Sequence, residues 1–432
     1  MINMMRILVT ALTFIFLLLS CCKEDEIPVR YDERGAITSM PWLWRVSMTE
    51  HDYNGGFVTY PVYHNNGVLL GAENPEGINF FRFLDAENGD ILWEQDYVYP
   101  ATLFDLLNPY KYENSIIVRD GHDLFSLNLI TGEYNWKVRD EEWGNNWLAG
   151  IDSLFFNINS ITDPATGYPV ASAYVGNTEN GEQELLLIPD LGELPEPDID
   201  RVNFSIGGFR YIKPYKNDTT GQILLLCYYY KNYYLPNSDN QISQSYMGLY
   251  NFSQQKWIYE LVELGERNFL EGFTPTIIGD RVYHNLSSGV AECRKLYTGE
   301  VIWRNEDDYQ YSGISFIVVG NKMITMDDRY GNLIAYDTSN GNEVWRTRST
   351  GNIGYMQELN GIIYFASGGD HKIHAVEAET GKYIWHLVSP DVENDFYDFF
   401  MPICCVIPVQ NGEKGKIVVS SYTHAYCYEA AR

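Results

Sequence analysis

Basic residues are scarce in this chain of 432 residues, in which 30 Lys and Arg stand against 58 Asp and Glu. The formal net charge of −28 repels phosphate backbones, so nucleic acid is excluded as an expected partner. The seven cysteines form neither a zinc pattern nor a recognisable disulfide framework. No phosphate-loop, dinucleotide or Gly-x-Ser-x-Gly fingerprint occurs in a strand-to-helix context. Helical periodicity is missing, whereas 45% apolar and 15% aromatic residues suffice for a large core.

An apolar run covers residues 7–19 and is interrupted only by Thr10 and Thr13. This run is too short to span a bilayer as a helix, but it suits the central region of a secretory signal. It ends at Leu18-Leu19-Ser20-Cys21, which resembles a bacterial lipobox. We therefore expect residues 1–20 to be a lipoprotein signal peptide, Cys21 to carry the lipid, and residues 21–39 to form a flexible tether.

Charged residues follow the expected lipid site, in the sequence Cys22-Lys23-Glu24-Asp25-Glu26. This segment resembles the Lys-plus-acidic export signal of surface lipoproteins from Bacteroidetes-type bacteria. The alternative is that it is a solvated tether. In both cases we expect a lipid-anchored protein of the bacterial outer membrane, on the cell surface or on the periplasmic face.

A short motif recurs through the chain and consists of a Gly, three further residues and a Trp. It occurs at Gly89/Trp93, Gly132/Trp136, Gly299/Trp303, Gly341/Trp345 and Gly381/Trp385. Where copies are consecutive, the Trp residues are 43, 42 and 40 residues apart. A period near 40 residues with four short strand signals is typical of propeller blades. We predict an all-β protein of four-stranded antiparallel blades over residues 40–432.

The last copy of the motif gives the clearest strand plan, with strands at 355–359, 362–366, 372–377 and 383–387. Asn360-Gly361 is a favoured hairpin turn between the first two of these strands. Between Trp136 and Trp303 we expect two blades without the motif, the second with Trp257 in the position of the Trp. Their strands are predicted at 153–158, 172–177 and 184–188, and then at 209–215, 222–230, 246–251 and 256–260.

The two ends of the chain complete the predicted ring. Three strands near 402–409, 416–421 and 425–428 are followed by no outer strand. Trp42-Leu43-Trp44-Arg45-Val46 has the pattern of an outer strand such as Val301-Ile302-Trp303-Arg304. We predict eight blades with the ring closed by this N-terminal strand, because closure leaves no free sheet edges. Seven blades is the alternative, if the motif-poor stretches form a single blade.

The copies resemble the PQQ-like (pyrroloquinoline-quinone-type) propeller repeat, whose consensus is Ala-x-Asp-x-x-Thr-Gly-x-x-x-Trp. Residues 335–345 and 375–385 match it best. The resemblance implies that each outer-strand Trp stacks on the Ala and Gly peptide of an adjacent blade. It assigns blade docking to Trp44, Trp93, Trp136, Trp303, Trp345 and Trp385, and to Gly89, Gly132, Gly299, Gly341 and Gly381. Phe83, Ser126 and Cys293 stand in the Ala position, so we expect differently shaped docking there.

A quinone site is one chemical possibility, and its support lies in Cys404-Cys405. The resemblance implies it, because quinone-dependent dehydrogenases carry an adjacent-Cys disulfide against the quinone and Ca²⁺ held by Glu and Asn. The chain is short for that class, and no Ca²⁺ ligands can be assigned. Neighbouring strand residues point to opposite faces, so small buried thiols of a packed strand are the alternative. Neither PQQ nor Ca²⁺ is expected as a cofactor.

Other catalytic or metal sites have weaker support. His371 and His374 are three residues apart, which places their rings on opposite faces of a regular strand unless a turn at Asp370 intervenes. The stretch 327–332 lacks the acidic spacing of a calcium loop, so we expect a turn there. Acidic residues are abundant but form no defined pair for glycoside cleavage. No catalytic, cofactor-binding or metal-binding residue is therefore assigned.

Aromatic residues are the candidates for binding, since the chain has 34 Tyr. Tyr supplies stiff contact area with a polar tip, which suits protein or sugar ligands. The candidates are Tyr229, Tyr230, Tyr233, Tyr234, Trp143 and Trp147. The alternative is that these rings fill the interfaces between blades.

These features predict a lipid-anchored, monomeric, non-catalytic binding or scaffold module for an envelope protein or glycan. The architecture also resembles the outer-membrane-assembly propeller lipoproteins of Gram-negative bacteria, which are lipid-anchored PQQ-like propellers without a cofactor. A role in outer-membrane protein assembly is therefore one alternative. A PQQ- and Ca²⁺-dependent quinoprotein dehydrogenase is the other.

Overall fold

The computed structural model describes residues 27–48, 61–73, 79–97, 109–120, 123–139, 144–162, 169–189, 207–234, 241–266, 275–286, 290–306, 316–327, 331–348, 354–367, 370–390, 400, 404–408, 414–421 and 423–432. The expected signal peptide, Cys21 and Trp143 lie outside these residues. Within them the protein is all-β, apart from a 3₁₀ turn at Phe252–Gln254. No helix of the described part is long and apolar enough to cross a membrane.

The described residues contain 34 strands. The first eleven are β1 (Arg30–Tyr31), β2 (Ile37–Ser39), β3 (Trp44–Ser47), β4 (Val62–His64), β5 (Gly67–Glu73), β6 (Asn79–Asp85), β7 (Ile91–Tyr97), β8 (Tyr110–Tyr112), β9 (Ser115–Asp120), β10 (Asp123–Asn128) and β11 (Tyr134–Arg139). The next eleven are β12 (Gly144–Ile151), β13 (Leu154–Thr162), β14 (Pro169–Asn177), β15 (Gln183–Leu187), β16 (Gly207–Lys216), β17 (Ile223–Tyr234), β18 (Gln241–Asn251), β19 (Lys256–Glu266), β20 (Thr276–Ile278), β21 (Arg281–Leu286) and β22 (Val290–Lys295). The last twelve are β23 (Val301–Glu306), β24 (Ile317–Val319), β25 (Lys322–Asp327), β26 (Asn332–Asp337), β27 (Glu343–Arg348), β28 (Gln357–Leu359), β29 (Ile362–Ala366), β30 (Lys372–Glu377), β31 (Tyr383–Val388), β32 (Cys404–Ile407), β33 (Lys416–Ser420) and β34 (His424–Glu429).

Strands pair antiparallel in groups of four, which we call meanders. In chain order they are M1 (β4–β7), M2 (β8–β11), M3 (β12–β15), M4 (β16–β19), M5 (β20–β23), M6 (β24–β27), M7 (β28–β31) and M8 (β32–β34 with β3). M3 and M4 are joined into one larger sheet by a single parallel pair, Ala171 with Gly208. The middle strands are buried on both faces, as β29 is throughout, whereas outer strands such as β11 alternate half-buried and exposed residues.

The N-terminal strand β3 completes the C-terminal meander. Trp44 lies opposite Cys427, and Ser47 lies opposite His424, in an antiparallel register. Two further backbone hydrogen bonds continue the pairing, from Leu43 N to Cys427 O and from Met48 N to Thr423 O, both at 2.7 Å. The missing outer strand of the last meander is therefore supplied by the beginning of the chain, where the sequence places it.

Part of the segment expected to be a flexible tether forms two short strands. β2 pairs in parallel with the outer strand β31 through Ile37 and Trp385, and β1 pairs antiparallel with β2. The Asp32 carboxylate holds the turn between them by accepting hydrogen bonds from Arg34 N and Ala36 N, each at 2.8 Å. The tether prediction is corrected for residues 30–39, because these residues cover the edge of M7.

The predicted strand plan agrees well with the strands of M7. β29 and β30 have the predicted bounds, the first strand is two residues shorter, and the outer strand ends at Val388 rather than at residue 387. In M3 the plan lacked an innermost strand, and the structure has one there, β12. That strand contains Gly144, Asn145, Asn146 and Gly150, residue types that are depleted in strands, which explains the omission.

Five indole rings lie on glycines of the next meander, in the turn between its third and fourth strands. The glycines have φ values from +71° to +77°, and a Cβ on any of them would approach the ring to 2.9 Å or less. The pairs are Trp44/Gly89, Trp93/Gly132, Trp136/Gly181, Trp303/Gly341 and Trp345/Gly381. Gly181 was not among the predicted glycines, because its own outer strand carries Leu185 in place of a Trp.

Each of these indole nitrogens also donates a hydrogen bond to the carbonyl oxygen three residues before the glycine. The nitrogen–oxygen distances are 3.0 Å for Trp44 to Ala86, 3.0 Å for Trp93 to Leu129, 2.8 Å for Trp136 to Thr178, 2.9 Å for Trp303 to Thr338 and 3.1 Å for Trp345 to Ala378. The ring thus covers the turn and satisfies one of its buried carbonyl groups.

The contact between M4 and M5 uses different residues. Val262 takes the place of the indole on Gly299, where a Cβ would lie 2.7 Å from its methyl group. The Tyr259 hydroxyl donates to Leu296 O at 3.0 Å, three residues before that glycine. The prediction that Trp257 fills this position is wrong, because its ring packs within M4 against Tyr250, with centroids 5.2 Å apart.

Besides the contact between M4 and M5, two further junctions lack the ring-on-glycine contact. In M4, Gln255 with φ of +51° stands where the glycine is expected, and Phe156 of M3 instead meets Phe252 edge-on at 5.6 Å. Trp385 of M7 packs in a core cluster with Tyr428 and Ala430, because the outer strand of M8 is the N-terminal β3 and no turn joins it to β34. Its indole packs against Tyr364 and has no hydrogen-bond partner for its nitrogen among the described residues.

The residues in the Ala position lie under the Trp of their own meander. Register pairs join Phe83 to Trp93, Ser126 to Trp136, Cys293 to Trp303, Ala335 to Trp345 and Ala375 to Trp385. Side chains of different size fit there, and Phe83 stacks on Trp93 with ring centroids 5.4 Å apart.

Replacing a glycine that lies under an indole should be more destabilising than replacing one that does not. Gly132 and Gly221 sit in similar Asn-x-x-Thr-Gly turns with φ of +76° and +68°, but only Gly132 has a ring over it. We expect Gly221→Ala to cost about 1 kcal/mol from the left-handed backbone. Gly132→Ala should cost roughly 1–3 kcal/mol more, because the methyl group displaces Trp93.

Urea unfolding of both variants measures the difference. Equal losses of stability in Gly132→Ala and Gly221→Ala would contradict a stabilising role for the indole contact.

Candidate functional site

A cavity of about 380 Å³ lies where innermost strands of six meanders meet. Its lining residues come from M1, M2, M3, M4, M7 and M8. They are Pro61, Val62, Pro109, Tyr110, Trp147, Leu148, Ala149, Gly150, Tyr211, Lys213, Pro214, Tyr355, Gln357 and Cys404. A cavity of this size is within the range of small-molecule sites.

Aromatic rings form one wall of this cavity and are held in place by close contacts. Trp147 meets Tyr211 edge-on, with ring centroids 4.8 Å apart. Tyr110 lies directly over Gly150, where any side chain would collide with its ring. The Tyr110 hydroxyl donates to Asp152 O at 2.8 Å. Burial raises the pKa of Tyr110 to about 12, so the phenol is neutral at physiological pH.

Lys213 is the charged residue of the described lining. It is half-buried and has no hydrogen-bond or ion-pair partner among its side-chain contacts in the described part of the chain. Burial lowers the pKa of its ammonium group, because no nearby carboxylate compensates for lost hydration. Among the lining residues that the structure describes there is neither Asp nor Glu, although acidic residues outnumber basic ones 58 to 30 in the whole chain.

Those predicted binding aromatics whose side chains the structure describes are not brought together in one site. Trp147 lines the cavity and is buried, whereas Tyr229 lies in the core of M4 and donates its hydroxyl to Glu260 O. Tyr229 also stacks on Tyr246 at 5.7 Å, so it is corrected from a surface candidate to a core residue. Tyr230 is half-buried on the same strand. The side chains of Tyr233 and Tyr234 lie outside the described residues, like Trp143.

The adjacent cysteines are unpaired in the structure. Cys404 and Cys405 are free, buried thiols. Cys404 packs in the core shared by M7 and M8, whereas Cys405 lies near the backbone of Tyr63 in M1, so the two side chains face different ways. Burial raises the pKa of both thiols, as expected for unreactive packed cysteines.

The residues around the cavity do not fit a quinone site that depends on Ca²⁺. Such an ion needs several oxygen ligands, usually including carboxylates, and the described lining offers no carboxylate. Across the described ranges, no group of three or more His, Cys, Asp or Glu is arranged to hold a metal ion. The expectation that the protein needs no cofactor stays a prediction.

The histidine pair has a structural arrangement. His371 has φ of +58° and precedes β30, and His374 within β30 contacts Asp370 with its Nε2 3.1 Å from the carboxylate. The His374 ring also stacks on Phe365 at 5.0 Å. In the stretch 327–332, where a turn is expected, Asp327 pairs with Asn332 across two adjacent strands, and the residues between Asp327 and Gly331 lie outside the described part.

A buried polar network between M4 and M5 was not anticipated from the sequence. The Tyr228 hydroxyl lies 2.7 Å from His284 Nδ1, and His284 Nε2 lies 2.5 Å from Glu292 Oε1. Arg294 donates to both oxygens of Glu292, at 2.6 and 3.2 Å, and Arg304 lies 3.5 Å away. These residues are spread over the chain from Tyr228 to Arg304, so their spacing in the sequence gives no signal of the network.

This network determines the charge of Glu292, whose side chain is fully buried. Burial raises its pKa, but His284 and Arg294 outweigh that effect and hold the pKa at about 2. Because the surrounding side chains exclude solvent, the network connects two meanders rather than forming a site for a ligand.

Comparison with known proteins supports a propeller family. Residues 254–395 match the family model described as outer membrane protein assembly factor BamB. The protein of that name from Bordetella pertussis (strain Tohama I) is 27% identical over 119 residues, which is 28% of this chain and 30% of the relative. The match therefore covers less than a third of that relative's length.

Solved structures resemble a much larger part of the chain. BamB from Moraxella catarrhalis has a TM-score of 0.53 at 10% identity, covering 90% of this chain and 99% of the other. Quinohemoprotein alcohol dehydrogenase ADHIIG from Pseudomonas putida HK5 has a TM-score of 0.58 at 10% identity, covering 91% of this chain and 77% of the other. At such identities these likenesses establish the fold alone.

The four-stranded meanders and these likenesses define an all-β protein of the β-propeller class. The family-model match and the curated relative further support the PQQ-like propeller family for this chain, which confirms the resemblance seen in the repeats.

Acid should weaken the fold through Glu292. Its stabilising contribution should be complete above the unfolded-state pKa of about 4.5 and be lost as the pH falls through about 2, because protonation removes the charge facing Arg294. Glu292→Gln should cost roughly 3–5 kcal/mol at neutral pH, since it leaves buried cations unpaired.

We expect the free energies of unfolding of wild type and Glu292→Gln to converge as the pH falls from about 7 to about 2. A difference that stays constant over this range would contradict the assignment.

Proposed function

We propose that this protein is a non-catalytic β-propeller scaffold of the bacterial cell envelope that binds proteins during outer-membrane protein assembly. The observation that carries the proposal is the match of residues 254–395 to the assembly-factor family. The likeness to BamB from M. catarrhalis, over 90% of this chain, supports the same architecture outside that segment. A monomeric propeller with partners bound to its surface is the form we propose.

The eight meanders M1–M8 are the blades of this proposed propeller, and β3 closes its ring. Three observations support closure: β3 pairs with β34, Trp44 of M8 covers Gly89 of M1, and innermost strands from both ends of the chain line one cavity. Eight blades are favoured over seven because M3 and M4 each contain four strands of their own.

Lipidation at Cys21 would place the propeller at the outer membrane. The described chain begins at residue 27, and β1 and β2 run along the outer edge of M7. A lipid at Cys21 would be attached a few residues before β1, and β1 and β2 lie at the outer edge of M7. This geometry suits a scaffold held beside the membrane, on either the periplasmic or the surface side.

An enzymatic role has less support than the scaffold role. The dehydrogenase likeness concerns the fold alone, and the described residues of the cavity lining include no carboxylate for a Ca²⁺ ion. Glycan binding through the predicted tyrosines also has less support, because Tyr229 is 2% exposed.

Removal of the protein should lower the amounts of outer-membrane β-barrel proteins in the cell that produces it. Antibodies against the protein should also co-precipitate the barrel-assembly machinery from detergent-solubilised envelopes. An antibody avoids a tag beside Arg432, whose exposed side chain forms an ion pair with Glu377. Quantitative proteomics of deletion and complemented strains measures both effects.

Complementation with Cys21→Ser tests the proposed lipid anchor. This variant removes only the proposed lipid site, and we expect it to fail to restore β-barrel levels. Unchanged β-barrel proteins after deletion, with no assembly component co-precipitated, would contradict the proposal. Dye reduction that requires added PQQ and Ca²⁺ would favour the dehydrogenase alternative instead.

A further inference from the structure

We propose that the cavity around Lys213 binds a small organic carboxylate with an aromatic or aliphatic body. This inference goes beyond the scaffold function, because it concerns a small molecule inside the protein rather than a partner on its surface. It depends on the shape, lining and charge of the cavity.

The cavity has a charge opposite to that of the protein as a whole. Its described lining contains one cation and no carboxylate, in a chain of net charge −28. A half-buried ammonium group without an anionic partner is costly, because burial removes hydration that nothing replaces. Lys213 is in this situation, with its side chain on the innermost strand of M4. A bound anion would supply the missing partner.

The remaining lining indicates the rest of the ligand. Three prolines, Pro61, Pro109 and Pro214, and the aliphatic residues Val62 and Leu148 provide apolar walls. The rings that also line the cavity, including the edge-on pair of Trp147 and Tyr211, can pack against a flat or branched apolar group. One charged group among apolar and aromatic walls is the usual composition of a site that orients a small amphipathic ligand.

A monocarboxylate fits this lining better than a phosphate. A phosphate group carries up to two negative charges and three acceptor oxygens near neutral pH, whereas the described lining offers one Lys and no Arg. A single Lys acts as a point charge that can pair with one carboxylate. The Gln357 amide on the innermost strand of M7 is an additional polar group of the lining.

The test compares 4-fluorophenylacetate with its neutral analogue 4-fluorophenylacetamide, by ¹⁹F NMR titration of the full-length chain in detergent. The wild type should bind the carboxylate at least about tenfold more tightly than the amide, as expected for a charge-assisted hydrogen bond. Lys213→Met should reduce carboxylate affinity by about tenfold or more and leave amide binding nearly unchanged.

Lys256→Met is the matched control, because Lys256 is exposed at the start of β19 and does not line the cavity. It should bind both probes as the wild type does. Lys213→Met should unfold at no lower urea concentration than the wild type, since it removes a buried unpaired charge, so lost binding cannot be ascribed to unfolding.

Equal affinity of the wild type for carboxylate and amide would overturn the proposal. So would an unchanged carboxylate affinity in Lys213→Met, or the absence of saturable carboxylate binding to the wild type. None of these results bears on outer-membrane assembly, so the two proposals fail separately.

Discussion

An indole ring lying on a glycine turn of the next meander is the interaction on which the arrangement of the sheets depends. The glycine is required twice over, because its φ is left-handed and because the ring occupies the space of a Cβ. The indole nitrogen then donates to the carbonyl three residues earlier, as in Trp345 to Ala378 O at 3.1 Å. A single side chain therefore covers apolar surface and satisfies a backbone group at each junction where it occurs. Since Trp44 makes this contact with Gly89, the same interaction links the last meander to the first.

Junctions without the contact are stabilised in other ways. M3 and M4 share a backbone pair between Ala171 and Gly208, and Phe156 packs against Phe252. Between M4 and M5, Val262 and Tyr259 divide the two roles of the indole, and the buried network around Glu292 adds charged hydrogen bonds.

At M7, the tryptophan packs against the core of M8, and β1 and β2 cover the outer strand. The innermost strands held by these junctions enclose the cavity around Lys213, so the binding proposal depends on the same packing.

The fold could be predicted from the sequence where one residue type carries the packing. The motif that Gly341 and Trp345 exemplify recurs because its contact needs a glycine with positive φ and a ring that also donates a hydrogen bond. The pattern around Trp44 likewise predicted its pairing with β34. Prediction failed where the role passed to ordinary residues, since Val262 and Tyr259 have no distinctive spacing and Trp257 was the more conspicuous candidate. The cavity could not be predicted for a similar reason: Lys213 is one lysine among apolar residues of distant strands, and only the fold brings it beside Trp147. Tyrosine abundance was misleading, because rings such as Tyr229 serve the core.

Hydrogen exchange after removal of the Trp44 indole tests the central claim most directly. In Trp44→Ala, we expect faster amide exchange in two segments that are far apart in sequence: the turn that contains Gly89 and the strand β34. The strands of M5 should keep their protection, because they lie outside the altered junction. Exchange that increases only in residues adjacent to Trp44 in sequence, with β34 and the Gly89 turn unchanged, would contradict the account.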